Sequence, residues 1–252
     1  GGVPAMWGAM SLMPNIDDID LSRIRVAATG AESVPEPMLK AWQQRGILLQ
    51  EVYGMTETSG VVCMAQKADL PEHMGYAGRA LPYGDVKVMK SEAEEAGPGE
   101  LGEIWMRGAS VTPGYWNRPD ATAEAFVEDW LKSGGIGRRD ETGRLSIEDR
   151  IKDMYISGGE NVYPAEVESV LMAHPDIREI TVIGVPDAKW GELGCAVIAS
   201  ISGEPLSLEG IHRQCEGYLA PFKWPQQVVN VEALPRNSTG KVQKFVLRQE
   251  MA

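Results

Sequence analysis

Two segments near the start of the chain are built alike, and they constrain its fold more than any other feature. Each has a short apolar run, at residues 24–28 and 47–52, that leads directly into a polar turn containing glycine. Such runs are typical of buried strands in an open α/β sheet, whose ligands lie beyond the carboxyl ends of the strands. The pattern therefore predicts an α/β layer with candidate ligand contacts at residues 30 and 53–57. The alternative is two ordinary strand-to-loop connections.

The pattern of the sequence changes twice downstream. From residue 78 to 149, short strand patterns alternate with glycine and proline turn signals, which predicts a β-rich subdomain interrupted by one helix. From residue 150 to 252, helix and strand patterns alternate over a length suited to an independent α+β domain. Its first helix is predicted to begin at Pro164, with Val167, Val170 and Leu171 on one face. We expect a large domain within 1–149, with an α/β segment (1–77) and a β-rich subdomain (78–149), followed by a small α+β domain.

Composition excludes several classes of protein. The 252 residues carry a formal net charge of −12, which argues against non-specific nucleic-acid binding. Cys63, Cys195 and Cys215 are widely spaced and form no Cys-x-x-Cys motif, so they predict buried thiols and neither disulfides nor a zinc site. The histidines show no metal-ligand spacing. No apolar run reaches the length of a membrane span, and no signal-peptide pattern is present, so we expect a cytoplasmic protein.

A cluster of positive charge near the end of the chain contrasts with this acidity. The stretch PRNSTGKVQK (235–244) presents Lys241 in a turn-forming context, and Arg236, Lys244 and Arg248 add charge, with no acidic residue between positions 233 and 249. Such a cluster suits an anionic ligand such as a nucleotide phosphate. The alternative is a solvated basic turn before a final helix, because the phosphate loop G-x-x-x-x-G-K-[ST] is absent from the sequence.

Six motifs in a fixed order carry a resemblance to a known family. They are YGMTE (53–57), GELGEIWMRG (99–108), PGYWN (113–117), IGRRDETGRL (136–145), DRIKDMYISGGENVYPAEVE (149–168) and PRNSTGK (235–241). Together they closely resemble the second half of the adenylate-forming acid–thiol ligases of the acyl-CoA synthetase kind, from about residue 28 to residue 248. The resemblance implies the last part of a large AMP-binding domain followed by a small, mobile C-terminal domain.

The resemblance also implies a two-step reaction that uses ATP, Mg²⁺ and CoA. A carboxylic acid and ATP give acyl-AMP and pyrophosphate, and CoA then displaces AMP to form the thioester. Lys241 would reach both reactants, Thr56 would contact phosphate, and Glu57 would be associated with Mg²⁺. These residue types suit a reaction that joins two anions. Taken alone, Thr56 could be a turn former and Glu57 a surface carboxylate.

Further contacts follow from the same resemblance. The implied nucleotide contacts are Gly30, Ala31, Glu32, Tyr53, Gly54, Gly135 and Arg150. The backbone of residues 30–32 would pack against adenine with Tyr53 stacking nearby, and Arg150 would be directed at the ribose. Lys152 occupies the position of a hinge about which the small domain would rotate between the two half-reactions, so that Lys241 would serve only the first. The turn formed by Ser157, Gly158, Gly159 and Glu160 would line the CoA tunnel. The alternative for that turn is a tight hairpin without a ligand.

Two departures from the family pattern limit the inference. The family has an aspartate that binds both ribose hydroxyls in a T-G-D element, whereas this chain has Ser133, Gly134 and Gly135. The loss of that carboxylate predicts weaker nucleotide binding by about 1–3 kcal/mol. The family's phosphate loop, T-S-G-T-T-G-x-P-K-G, is also absent from these residues. We therefore interpret the chain as a C-terminal portion of a longer ligase that alone is inactive or weakly active.

Several alternatives stay open at this stage. The chain could belong to a carrier-protein-directed adenylation enzyme or to the luciferase-like oxidative branch, or it could be a catalytically silent nucleotide-binding or interaction module. The acid is also undetermined, because Met55, Ser59 and Val61 suggest an apolar lining that fits either fatty acid metabolism or an aromatic acid. A homo-oligomer is possible.

Overall fold

The computed structural model describes residues 1–32, 34–237 and 240–251. The chain forms two compact units, Gly1–Glu148 and Asp149–Ala252. The helices of the first unit are α1 (Pro4–Ser11), α2 (Glu36–Gln44) and α3 (Pro119–Ala125). Its strands are β1 (Ala27–Gly30), β2 (Leu49–Met55), β3 (Gly60–Met64), β4 (Tyr76–Ala80), β5 (Gly84–Ser91), β6 (Glu94–Glu95), β7 (Gly102–Gly108), β8 (Phe126–Val127), β9 (Trp130–Arg139) and β10 (Leu145–Arg150).

The strands of the first unit form one sheet in the order β1-β2-β3-β4-β10-β9-β7-β5-β6, with β8 paired to β9. β1 and β2 pair in parallel, with Ala27 opposite Leu49 and Gly30 opposite Val52. Parallel neighbours need a crossover connection, and α2 provides it. The carboxyl ends of β1 and β2 therefore lie at the same edge, as the two similar strand-to-turn segments predicted.

The bounds of these two strands differ from the sequence-based expectation. β1 starts at Ala27, because Ile24 and Val26 remain exposed in the preceding turn. β2 continues to Met55, because it pairs with β3, a strand that the sequence patterns did not predict. Tyr53 and Gly54 consequently lie within a strand, and only residues from Thr56 onward form the turn.

The second unit is a five-stranded sheet with helices packed against it. Its helices are α4 (Pro164–Leu171), α5 (Leu208–Cys215) and α6 (Lys244–Glu250). Its strands are β11 (Tyr155–Ser157), β12 (Glu160–Val162), β13 (Ile177–Asp187), β14 (Gly191–Ser200) and β15 (Gln227–Asn230). The order is β12-β11-β14-β13, and β15 pairs in parallel with β14.

The core of the second unit forms where the helices cover this sheet. Val167 and Leu171, one turn apart on α4, pack with Ile211 of α5 against Val182 and Ile198 of the sheet. α4 begins at Pro164, a favourable residue for the first turn of a helix, as expected from the sequence.

The three cysteines are buried free thiols, as predicted. Burial raises the pKa of the Cys63 thiol to about 12 and the pKa values of the other two thiols to about 11. The thiols are therefore protonated at neutral pH. Within the described part of the chain, no helix is long and apolar enough to cross a membrane.

Candidate active site

The turn after β2 carries the first two predicted catalytic residues. Thr56–Thr58 form a short 3-10 turn whose last residue, Thr58, is fully buried. The Thr58 hydroxyl accepts a hydrogen bond from the Met55 amide at 3.0 Å and lies 2.8 Å from the Gly60 carbonyl. These bonds fix the turn from inside, so Thr56 is exposed and Glu57 is half-buried at the end of the strand.

A second motif contacts this turn. The Tyr115 hydroxyl, in the PGYWN motif, donates a hydrogen bond to Glu57 Oε1 at 2.8 Å across 58 residues of sequence. The Thr112 amide donates to the Glu57 carbonyl at 2.7 Å. The bond to Glu57 raises the pKa of Tyr115. The sequence patterns predict no role for Tyr115, whose one signal in the sequence is its place in a family motif.

The donor chemistry at Glu57 fits a magnesium ion bound together with a nucleotide. Mg²⁺ is usually held by one or two carboxylates together with water and substrate phosphates, and less often by a full set of protein ligands. Among the described residues, no cluster of three or more His, Cys, Asp or Glu could hold a metal without a co-ligand. A single half-buried carboxylate beside an exposed threonine is therefore consistent with a metal that arrives with ATP.

The end of β1 holds the predicted backbone contacts to adenine. A Cβ atom at Gly30 would lie 2.4 Å from the Val52 carbonyl oxygen, so the close approach of β2 already requires glycine there, with or without a ligand. Ala31 has a left-handed backbone with φ of 75°, which costs about 1–2 kcal/mol for a residue with a side chain. The chain therefore turns sharply at Ala31, and Glu32 lies beyond it.

Tyr53 and Gly135, two predicted nucleotide contacts, meet in the structure. The Tyr53 hydroxyl donates to Ser133 Oγ at 3.0 Å, and Ser133 Oγ also accepts from the Gly135 amide at 3.0 Å. A Cβ atom at position 135 would lie 2.4 Å from Tyr53 Oη. The phenol therefore occupies the space in which a side chain at position 135 would begin. Glu103 supports this segment by accepting from the Gly134 amide at 3.0 Å.

The predicted ribose contact and hinge lie at the start of the second unit. Arg150 and Lys152 are both exposed. Asp149, which is buried, accepts from the Arg150 amide at 2.7 Å and from the Ala165 amide, in the first turn of α4, at 2.8 Å. Burial raises the pKa of Asp149. This carboxylate therefore anchors the segment that precedes the predicted hinge.

The glycine-rich segment predicted to line a CoA tunnel is a tight hairpin between β11 and β12. Ser157 pairs with Glu160, and Gly158 and Gly159 have φ values of 60° and 88°. Two successive positive φ values are what the commonest two-residue hairpin turns demand, so glycine is needed for the turn itself. The Gly158 amide donates to the Trp190 carbonyl at 2.9 Å, which joins the hairpin to a neighbouring loop.

Lys241 lies in a braced turn, of which Ser238 and Thr239 are outside the described residues. The Lys241 amide donates to Asn237 Oδ1 at 2.9 Å, and the Asn237 amide donates to the Lys241 carbonyl at 2.9 Å. Arg236 donates to the Gly240 carbonyl at 2.6 Å and to Glu179 Oε1 at 2.8 Å. The backbone around Lys241 is therefore held from both sides.

The positive cluster seen in the sequence is largely neutralised by acidic residues from elsewhere. The ion pairs are Arg236–Glu179, Lys244–Glu168 and Arg248–Asp153. Within the ranges that the structure describes, Lys241 takes part in no ion pair. The fold therefore leaves Lys241 as the cation of this cluster that can meet an anionic ligand.

Two surface cavities are lined by other residues. One, of about 440 Å³, is lined by Arg178, Ser202 and Asn230 among others, and the second, of about 280 Å³, by Arg79 and Arg139 among others. Neither is lined by a predicted site residue.

Each of the two units carries part of the predicted site: the first has the residues at the ends of β1 and β2, and the second has the turn of Lys241. Residues 1–116 match the family model of AMP-binding enzymes, and residues 166–241 match that of the AMP-binding enzyme C-terminal domain. The chain belongs to the AMP-binding enzyme family. The family resemblance and the fold class expected from the sequence are thereby confirmed, whereas the roles of individual site residues stay predictions.

Individual relatives agree with this assignment. The chain is 40% identical over 250 residues to a long-chain-fatty-acid–CoA ligase of Mycobacterium tuberculosis and 38% identical over 250 residues to an indoleacetate–CoA ligase of Aromatoleum aromaticum. Each match covers 99% of this chain and 49% of the relative. The chain thus spans about half the length of these curated relatives.

Two solved structures also match nearly the whole of this chain. ATP-bound MatB from Rhodopseudomonas palustris matches 99% of this chain and 50% of its own, with a TM-score of 0.91 and 35% identity. The o-succinylbenzoate coenzyme A synthetase of Bacillus subtilis, in complex with ATP and magnesium ion, matches with a TM-score of 0.86 and 33% identity, again over 99% of this chain and 50% of its own.

Proposed function

We propose that this protein is part of an ATP-dependent carboxylic acid–CoA ligase. In the first step the acid carboxylate attacks the α-phosphate of ATP, which gives acyl-AMP and releases pyrophosphate. In the second step the CoA thiol attacks the acyl carbon, which gives the thioester and releases AMP. The observation that carries the proposal is the braced turn of Lys241, which takes part in none of the ion pairs that the described residues of its cluster form.

Each proposed role follows from the chemistry of the residue. The Lys241 ammonium would bring the two anionic reactants together and stabilise negative charge that develops during adenylation. The exposed Thr56 hydroxyl would donate to a phosphate oxygen, and the Glu57 carboxylate would hold Mg²⁺. When bound with ATP, Mg²⁺ would neutralise part of the phosphate charge. Arg150 would contact the ribose.

The second half-reaction would use other residues. We propose Lys152 as the hinge between adenylating and thioester-forming arrangements, and the hairpin of Ser157, Gly158, Gly159 and Glu160 as the lining of the thiol channel. A turn with two glycines presents backbone without bulky side chains, which suits a narrow channel. A cytoplasmic location stays a proposal made from the sequence.

The acid is proposed only as a class. The relatives named above act on a long-chain fatty acid and on indoleacetate, so an apolar aliphatic or aromatic acid is favoured. Half-buried Met55 and exposed Val61 lie close to the turn after β2 and supply apolar surface there. A panel of both acid types, with free CoA and a carrier protein as alternative acceptors, would identify the acid and the thiol.

The test is acid-dependent exchange between ATP and labelled pyrophosphate. It would be run on the 252-residue chain and on a form extended upstream to include a phosphate loop. We expect exchange in the extended form, its loss by at least a hundredfold in Lys241→Ala, and no loss in Lys40→Ala, a matched exposed lysine on α2. Exchange that survives Lys241→Ala would refute the assigned role.

A second function is favoured by a specific observation. Gly135 stands where the family has a carboxylate directed at ribose, and the Tyr53 phenol occupies the space beside it. A catalytically silent nucleotide-binding or interaction module is therefore the second candidate. AMP binding by a well-folded extended form that shows no exchange with any acid or acceptor would favour it.

A further inference from the structure

We infer that Tyr115 is a positioning residue for Glu57 and, through it, for Mg²⁺ bound with ATP; this inference rests on the proposed function. The Tyr115 hydroxyl donates to only one of the two carboxylate oxygens, Glu57 Oε1, at 2.8 Å. A carboxylate restrained at one oxygen presents its other oxygen, Oε2, in a fixed direction. Mg²⁺ demands near-ideal octahedral geometry, so the direction of a ligand oxygen matters more for it than for a larger cation.

The backbone position of Tyr115 is set by α3. The Tyr115 amide donates to Thr122 Oγ1 at 2.9 Å, and Thr122 Oγ1 in turn donates to the Arg118 carbonyl at 2.9 Å. Gly114 has a φ of 151°, and a Cβ atom there would lie 2.7 Å from the Thr122 side chain. The segment before Tyr115 is therefore packed tightly on the first turn of the helix, which fixes the backbone from which the phenol reaches Glu57.

The backbone around Glu57 is held independently of the phenol. The Thr112 amide donates to the Glu57 carbonyl at 2.7 Å, and the Ser59 hydroxyl donates to the Ser110 carbonyl at 2.9 Å. The turn is also fixed from inside by buried Thr58. Removal of the phenolic oxygen alone should therefore free the carboxylate side chain without releasing the turn.

The chemistry of Tyr115 and Glu57 suits a hydrogen-bond donor that orients a metal ligand. A phenol donates a hydrogen bond without bringing positive charge, so it orients the carboxylate while leaving its negative charge for the cation. A phenol is protonated at neutral pH, so Tyr115 is the donor and the Glu57 carboxylate the acceptor of this bond. Groups that hydrogen-bond to a metal ligand typically contribute about 10–100-fold to metal affinity or activity.

The experiment is calorimetric titration of ATP into the full chain, once with excess Mg²⁺ and once with EDTA. The variants are Tyr115→Phe, Glu57→Gln, the double variant, and Tyr83→Phe as a matched control, since the Tyr83 side chain is 90% exposed. We expect Tyr115→Phe to weaken binding about 10–100-fold with Mg²⁺ and less than twofold with EDTA. Tyr83→Phe should change neither, and Tyr115→Phe should add nothing in the Glu57→Gln background.

The possible failures are distinguishable. Equal weakening with Mg²⁺ and with EDTA would show that Tyr115 only maintains the fold of the site, and no weakening in either would show that it is dispensable. Both results overturn the inference while leaving the proposed function intact. If Glu57→Gln also leaves the Mg²⁺ effect unchanged, or if the chain binds no ATP under either condition, the proposed role of Glu57 in nucleotide binding fails, and the inference fails with it.

Discussion

Replacement of Gly135 by aspartate tests whether the absence of the family's carboxylate at this position weakens nucleotide binding. A carboxylate at this position is expected to accept hydrogen bonds from ribose hydroxyls and to gain about 1–3 kcal/mol, which is about a 5- to 150-fold lower Kd for AMP. The structure shows what opposes this gain. The new Cβ atom would lie 2.4 Å from Tyr53 Oη, which is far inside ordinary contact distance.

The tyrosine must therefore move when the aspartate is introduced. Its displacement breaks the 3.0 Å hydrogen bond to Ser133, a loss of about 1 kcal/mol, and shifts the ring that is proposed to stack on adenine. We expect the single Gly135→Asp variant to change the Kd for AMP by less than about threefold. In Tyr53→Phe the nearest ring atom to the new Cβ is Cζ at 3.4 Å, and Ser133 Oγ lies at 3.2 Å, so shifts of a few tenths of an ångström admit the aspartate. The gain of about 5- to 150-fold should then appear relative to Tyr53→Phe alone.

The assay is titration of AMP into four proteins: the parent chain, each single variant and the double variant, with circular dichroism to check folding. A full gain in Gly135→Asp alone would show that Tyr53 gives way without cost. No gain in the double variant would refute the ribose-binding role assigned to a carboxylate at position 135.

Three other perturbations have defined outcomes. Burial raises the pKa of Glu51 from 4.5 to about 7, so its contribution to the free energy of unfolding is fully present below pH 4.5 and is lost as the pH rises through 7, by at most about 3 kcal/mol. The free energy of unfolding, measured with urea, should fall between pH 5 and pH 8 in the parent protein but not in Glu51→Gln. The same pH dependence of this free energy in both proteins would contradict the prediction. Arg236→Ala should speed hydrogen exchange at the Gly240 and Lys241 amides about fivefold, since roughly 1 kcal/mol of bracing is removed; unchanged exchange would show that the turn holds without it. Leu171→Ala should lower the stability of the second unit by about 2–5 kcal/mol in urea unfolding, and a smaller loss would mean that its core collapses around the cavity.

The fold was predictable where local signals were strong. The periodicity and Pro164 predicted α4, and the repeated strand-to-turn pattern predicted the parallel pair β1 and β2. The long strand β9 was not predicted, because its sequence, WLKSGGIGRR, contains three glycines and has low β-propensity. It forms because it pairs with β7, a contact that no local pattern reveals.

The candidate site also combines features that the sequence predicted with features that it did not. Motifs selected Glu57, Tyr53 and Gly135 as site residues, but they did not indicate that the Tyr53 phenol occupies the space beside Gly135. They also gave no role to Tyr115, because its hydrogen bond to Glu57 spans 58 residues. A hydrogen bond depends on the distance between two atoms in space, which the order of the residues does not give.

The sequence by itself determined the family, the types of residue available for chemistry, and the local turns in which they lie, because motif order and turn propensities are written along the chain. Only the tertiary structure decided which charges remain available. The sequence around Lys241 is uniformly basic, yet Arg236, Lys244 and Arg248 are paired with carboxylates 57, 76 and 95 residues away. Because Coulomb and hydrogen-bond energies fall with distance through space, folding paired three of these cations with carboxylates, whereas Lys241 takes part in no ion pair within the described part of the chain.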